Sequence, residues 1–236
     1  MFLDLHTHSS GISRCSRLTA PQMLDLAAQA GLDGIVLTNH YVKSYVADGD
    51  ALEFAHRYLA EYEYTKKCAE ERGLTAFFGV EVTASYDPRV HLLIYGVPQA
   101  FLLEHPTIYD EPLETIAALV HEYGGALVQA HPYRANCTVQ NPACLDGVEI
   151  SSHPLYRFSY TEELVEVARQ TGLILTSGGD FHGDADYRPR CGSYLPDSCT
   201  EESLGEFLRT TDSIRLRVQE PYAPDWYEFS FQRSKK

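Results

Sequence analysis

The chain has 236 residues, 44% hydrophobic and 22% charged, which suits one well-buried domain spanning residues 1–236. Its formal net charge is −14 and no Lys/Arg cluster interrupts that acidity, so a basic face for nucleic acid is excluded and docking on anionic membranes is disfavoured. No apolar run approaches the roughly 20 residues needed to span a bilayer, no basic-then-apolar leader opens the chain, and Cys15, Cys68, Cys137, Cys144, Cys191 and Cys199 form no C-x-x-C pair, so a cytoplasmic protein with reduced thiols is expected.

The first predicted strand, Phe2–Leu5, runs into "DLHTHSS". Residues two apart on a strand face the same way, with Cα atoms roughly 6.6 Å apart, so His6 and His8 point into one space. A helix starting near Pro21 ends at Gly31 and leads to a strand at Gly34–Thr38, followed at once by Asn39 and His40. A long helical stretch, Ala51–Arg72, closes at Gly73 and precedes the strand Ala76–Val82, which carries Glu81. His91 comes before its strand, Leu92–Val97, instead of after it. Only about ten residues separate it from Glu81, too few for a helical crossover. The turn-like "SYDPR" between them predicts a hairpin that returns His91 to the Glu81 end.

The helical "LETIAALVHEYGG" leads to the strand Ala126–Gln129 and then "AHP", with His131. The strand Gly147–Ile150 lies in "DGVEISSH", which places Glu149 and His153 near its end. A helix beginning at Thr161 leads to the last core strand, Ile174–Ser177, and to "GGDFH", with Asp180 and His182. Ile214–Val218 and Trp226–Phe231 are expected to add an edge hairpin. Alternating helices and short apolar strands predict an α/β fold with a mostly parallel sheet. Seven strands suggest a closed or nearly closed barrel, with a doubly wound open sheet as the alternative. The first strand is not followed by G-x-G-x-x-G, which counts against a dinucleotide site.

Active sites of parallel β/α barrels lie at the carboxyl ends of the strands. His6, His8, His40, Glu81, His91, His131, Asp180 and His182 all fall at that end, as a metal cluster would require. His56, His105 and His121 lie in helices or loops and are read as ordinary structural histidines. Mixed imidazole and carboxylate donors suit Zn, Mn or Fe better than Mg or Ca.

The segments "DLHTHSS", "DGIVLTNH", "GVEVT" followed by "HLLIYG", "AHPY" and "GGDFHG" together resemble the PHP family, named for polymerase and histidinol phosphatase. The resemblance runs from residue 4 to residue 183 in family order. It implies a distorted seven-stranded TIM-like (β/α) barrel, two or three divalent metals at the strand C-terminal ends, and phosphoester hydrolysis. By that resemblance His6, His8, Glu81 and Asp180 would hold one metal. Glu81 would bridge to a second held by His91 and His131, and His40 and His182 would hold a third. The sequence departs from the pattern at Ser13-Arg14-Cys15, where many members complete the third site with an acidic residue or histidine. It also has Asn39 where many have aspartate. Cys15 is a replacement ligand to consider.

A small phosphorylated substrate is expected, such as histidinol phosphate, a nucleotide or a phosphosugar. Arg14, Arg134 and Lys43 are candidate phosphate contacts. Glu81 and Asp180 are the expected catalytic ligands, and His153 a candidate proton donor to the leaving group, with Glu149 supporting the ligands. An amidohydrolase-type hydrolase would need a bridging carboxylated lysine on a middle strand, which none of these strand ends offers. A non-catalytic metal-binding module would have less need of so full a ligand set.

Overall fold

The computed structural model describes residues 1–46, 49–153, 158–183 and 190–234. β1 (Phe2–Thr7), β2 (Gly34–Leu37), β4 (Thr75–Thr83), β6 (Ala126–Gln129), β7 (Gly147–Ser151) and β8 (Ile174–Gly178) are the expected core strands. Pairing is parallel from β1 through β2 to β4, and again from β6 through β7 to β8. Between the two runs, β5 (His91–Tyr95) is antiparallel to both β4 and β6. The expected reversal is therefore present, and it sets His91 opposite Thr83, two residues from Glu81. Every residue of β1, β2 and β5 to β8 is buried, which explains why these strands read as continuous apolar runs rather than alternating ones.

The expected count of seven strands is too low. Among the described residues, eleven strands form one sheet in the order β11 (Trp226–Gln232), β10 (Ser213–Gln219), β9 (Gly192–Tyr194), β1, β2, β4, β5, β6, β7, β8, with β3 (His40–Tyr41) beside β4. β3 is a two-residue strand that resumes after the break at Thr38-Asn39, so His40 opens a strand of its own and pairs with Glu81. β9 (Gly192–Tyr194) is too short to show a period; it joins β1 to the hairpin of β10 (Ser213–Gln219) and β11 (Trp226–Gln232). That hairpin lies at the sheet edge, as expected, with the Arg217 guanidinium stacked between Phe2 and Trp226. The barrel seam between β1 and β8 is joined at its mouth by the Thr7–Phe181 bridge and by the Asp180 amide donating to the His6 carbonyl.

The helices follow their end signals. α1 (Ala20–Gln29) opens on a capping box between Thr19 and Gln22, with Pro21 in the first turn. α2 (Ala51–Glu70) starts at Asp50, whose side chain accepts from the Glu53 amide, and buries Phe54, Tyr58 and Tyr62. The short α3 (Ala100–Glu104) carries no helical period and was not expected; α4 (Leu113–Glu122), α5 (Thr161–Thr171) and α6 (Leu204–Thr210) complete the set. Thr161 is the first residue of α5 and not its cap, which is Tyr160. No helix among the described residues is long and apolar enough to cross a membrane.

One glycine is required by close packing. Gly96 follows β5 at φ +72°, and a Cβ there would lie 2.3 Å from the Gly205 amide nitrogen of α6. Gly96→Ala is expected to cost more than the roughly 1–2 kcal/mol of a left-handed Cβ alone, because backbone must also move. Urea denaturation should show a lower midpoint with an unchanged slope; a parental midpoint would refute the contact.

Candidate metal centre

The structure brings all eight sequence-predicted ligands into one buried cluster. Glu81 is at its centre, with no solvent exposure. Its Oε1 lies 2.7 Å from His91 Nδ1, 3.2 Å from His131 Nε2 and 3.4 Å from His6 Nε2. Its Oε2 contacts His40 Nδ1 closely and lies 3.6 Å from His8 Nε2. The two carboxylate oxygens thus face different sets of imidazoles. Asp180 closes the cluster from β8, with Oδ1 at 2.9 Å from His8 Nε2 and 3.4 Å from His6 Nε2. Its φ of +48° is left-handed, a conformation that aspartate tolerates better than most residues. His131 at φ +29° is more strained, and such strain is held in place where the surrounding structure fixes a functional side chain.

Hydrogen bonds behind His6, His8 and His182 fix which nitrogen each presents. His6 Nδ1 lies 2.8 Å from Glu149 Oε1, so it carries the proton and Nε2 faces inward. Glu149 also accepts from the His131 amide at 3.1 Å. Its role beside the ligands is the expected one; a Cβ on Gly178 would lie 2.5 Å from its Oε1, so the glycine leaves room for it. His8 is set by a longer chain. Asn39 Oδ1 accepts from the Ser9 amide at 2.8 Å, which fixes the orientation of the amide side chain. Ser13 Oγ donates to that same Oδ1 at 2.8 Å and must therefore accept from His8 Nδ1 at 3.0 Å. Asn39 Nδ2 donates to Ser9 Oγ, which an aspartate could not do. Asn39 is thus a scaffold for His8, and its difference from aspartate removes no ligand from the cluster. No sequence pattern marks Ser13; its role comes from the bond to Asn39, 26 residues away along the chain.

On the outer side, His182 Nδ1 donates to the Asp180 carbonyl at 2.7 Å, leaving the Nε2 lone pair 3.4 Å from His40 Nε2. His153 is buried beside it, Nε2 to His182 Nδ1 3.2 Å. Among the described residues, potential donor atoms converge within 4.8 Å in five overlapping groups: His6–His8–Asp180, His6–Glu81–His131, His40–Glu81–His91, His8–His40–His182 and His153–Asp180–His182. His6 Nε2 is buried without a hydrogen-bond partner, and the buried His40 Nδ1 and Glu81 Oε2 meet only one another and the neighbouring imidazoles. Buried polar atoms are seldom left so, and a shared cation would satisfy all three. The residues therefore fit a multinuclear divalent metal group.

The electrostatics agree. Burial opposes the Glu81 charge, but His40, His91 and His6 hold its carboxyl well below the usual range. Burial likewise opposes ionisation of Asp180, and His6 and His153 lead the groups that hold it low. Burial pushes His131 down to about 3 and His8 well below its ordinary value, so both are neutral and free to ligate. Against burial, Glu81 lifts His40 to about 10, and Glu149, Asp180 and Glu81 lift His6. A metal must displace those two protons, so its affinity falls with acidification. Cys15 lies beside the outer histidines; burial opposes its ionisation, yet hydrogen bonds with His182 and His40 bring the thiol down to about 6.

The candidate phosphate contacts are placed differently from one another. Arg134 is half-buried and shares a cleft with His131, Pro132, Ser151, Phe158, Ser159 and Tyr160. Arg14 is exposed next to Cys15, its guanidinium 4.5 Å over the Tyr45 ring and donating to the Ser44 and Tyr45 carbonyls. Lys43 pairs with Asp110 at 3.0 Å. Of the histidines set aside, His56 is exposed, His105 packs on Phe101 and Tyr123, and His121 pairs with Asp146.

This fold and its cluster define an α/β barrel with a candidate metal centre, and comparison with known proteins finds the same fold in solved structures. No family model and no curated protein matches the sequence. A candidate metal-dependent phosphoesterase from Bifidobacterium adolescentis is 17% identical with a TM-score of 0.55, over 89% of this chain and 96% of that one. PsfC from Pseudomonas syringae is 19% identical with a TM-score of 0.59, over 85% and 84%. An amidohydrolase from Chromobacterium violaceum, with bound sulfate and no metal, is 19% identical with a TM-score of 0.58, over 84% and 93%.

Ser13→Ala should leave the fold intact but reduce affinity for the metal bound by His8 by roughly 10- to 100-fold, the usual cost of losing a hydrogen bond behind a ligand. Chelator competition measures this. Unchanged affinity would show that Ser13 does not orient His8.

Proposed function

We propose that this chain is a metal-dependent phosphoesterase acting on a small phosphorylated molecule. The observation that carries this is Glu81, whose two oxygens face separate imidazole sets and so suit it to bridge two cations. Bound there, a pair of Zn, Mn or Fe ions would supply Lewis acidity toward phosphoryl oxygens and an acidified water at neutral pH. His6, His8, Glu81 and Asp180 would hold one ion, Glu81, His91 and His131 the second, and His40 and His182 a third. The chain's own work is to keep those donors fixed, through Glu149 on His6 and Ser13 on His8. His153, buried beside His182, is placed to hand a proton to the leaving oxygen.

Substrate phosphate needs a positive centre that a chain of net charge −14 does not otherwise provide, and a cation cluster would provide it. Arg134 adds to it from a strained loop: His131, Tyr133, Ala135 and Asn136 all have positive φ. The resemblance to the PHP family and the phosphoesterase among the structural neighbours support the same reading. An amidohydrolase would use a bridging lysine, and among the described residues Glu81 stands in that place. The chain's formal acidity also favours a small substrate over a nucleic acid polymer.

The reading is tested by screening the purified protein with Mn, Zn and Fe against a panel of phosphomonoesters and phosphodiesters. Glu81→Gln and Asp180→Asn should each lower turnover by several orders of magnitude, with circular dichroism unchanged, because each removes a charged ligand. Near-parental turnover in either variant would overturn the assignment. Arg134→Ala should lower kcat/KM about tenfold or more with metal content retained. Arg14→Ala should change it by less than about threefold, or ~0.7 kcal/mol, because its guanidinium is already engaged by Tyr45. A large loss in Arg14→Ala alone would move the phosphate clamp to Arg14.

A further inference from the structure

The outer end of the cluster has chemistry that the inner sites lack. His8, His40 and His182 converge there, and the fully buried Glu81 aims its Oε2 at the same group, in contact with His40 and 3.6 Å from His8 Nε2. The fourth side is covered by the loop after β1. That loop is tied down at both flanks of Cys15. Ser13 Oγ accepts from the His40 amide at 3.0 Å, Ser16 Oγ donates to the His8 carbonyl at 3.2 Å, and the Arg17 amide donates to the His182 carbonyl at 2.8 Å. Cys15 is thereby held at the outer end of the cluster, with its sulfur 4.0 Å from the hydroxyl of Tyr45, whose ring stands edge-on to that of His40 at 6.3 Å.

We propose that Cys15 supplies a thiolate ligand to the outermost metal, beside His40 and His182, making that site a sulfur-containing one next to two sites built from nitrogen and oxygen alone. This rests on the metal-centre part of the proposed function. A thiolate changes what the site takes. Soft or borderline ions such as Zn, Co, Cd and Fe gain from sulfur, whereas Mn and Mg do not. The outer site should therefore select zinc-like ions even where the inner pair accepts Mn. Cys15 is also the one exposed cysteine of six, the other five being buried, so its chemistry can be read without interference.

The test is cobalt loading of the metal-stripped full chain, followed by absorption spectroscopy and iodoacetamide labelling. The parent should show ligand-field bands plus a near-ultraviolet sulfur-to-cobalt charge-transfer band. Alkylation of Cys15 should be rapid in the stripped protein and suppressed by zinc or cadmium. Cys15→Ser should lose the charge-transfer band and about tenfold or more in zinc affinity at one site, with Mn affinity unchanged. Cys15→His should restore the lost metal without restoring the band. Cobalt binding with ligand-field bands but no charge transfer, or alkylation unaffected by zinc, would overturn the role of Cys15 and leave the inner pair standing. A protein that binds no cobalt at all would overturn the metal centre itself.

Discussion

A carboxylate without solvent cannot stay charged unless something opposes it, and Glu81 has five imidazoles around it. Much of the site follows from that constraint. β3 and β5, which flank the end of β4, each deliver a histidine to it, and the antiparallel turn of β5 exists in the right place to bring His91 back to it. A helical crossover at this point would have put His91 at the far end of the barrel. A bound cation would sit where those donors converge.

The groups behind the ligands matter for a different reason. An imidazole has two nitrogens, and only the one without a proton can ligate. Glu149 settles the matter for His6, the Asp180 carbonyl for His182, and the Asn39–Ser13 chain for His8. None of these partners need touch a metal or substrate. Each makes the difference between a histidine that happens to point inward and one that points inward with its lone pair.

The cluster grades from inside to outside. Its inner end is fully buried and uses nitrogen and oxygen. Its outer end, at His40, His182 and Cys15, is partly open and adds sulfur. Arg134 and the strained loop that carries it lie at the cleft beside His131, whereas Arg14 stacks on Tyr45. A substrate entering this mouth would meet softer ligands and aromatic rings before the harder centre.

The sequence by itself determined the strands, their order along the chain, and the end of each at which a ligand sits. Those features are local: burial on both faces gives a continuous apolar run, and a period of two puts His6 and His8 on one side. Even the reversal of β5 was legible, because the Glu81–His91 spacing is too short for any other connection. Only the tertiary structure decided the rest. β3 and β9 span two and three residues, too few to display a period, so the strand count could not be read. The directions of Arg14 and Lys43 depend on Tyr45 and Asp110, and the orientation of His8 depends on Asn39 and Ser13. These are loop side chains whose partners lie in other elements, and no local pattern encodes which partner a loop residue meets once the barrel closes.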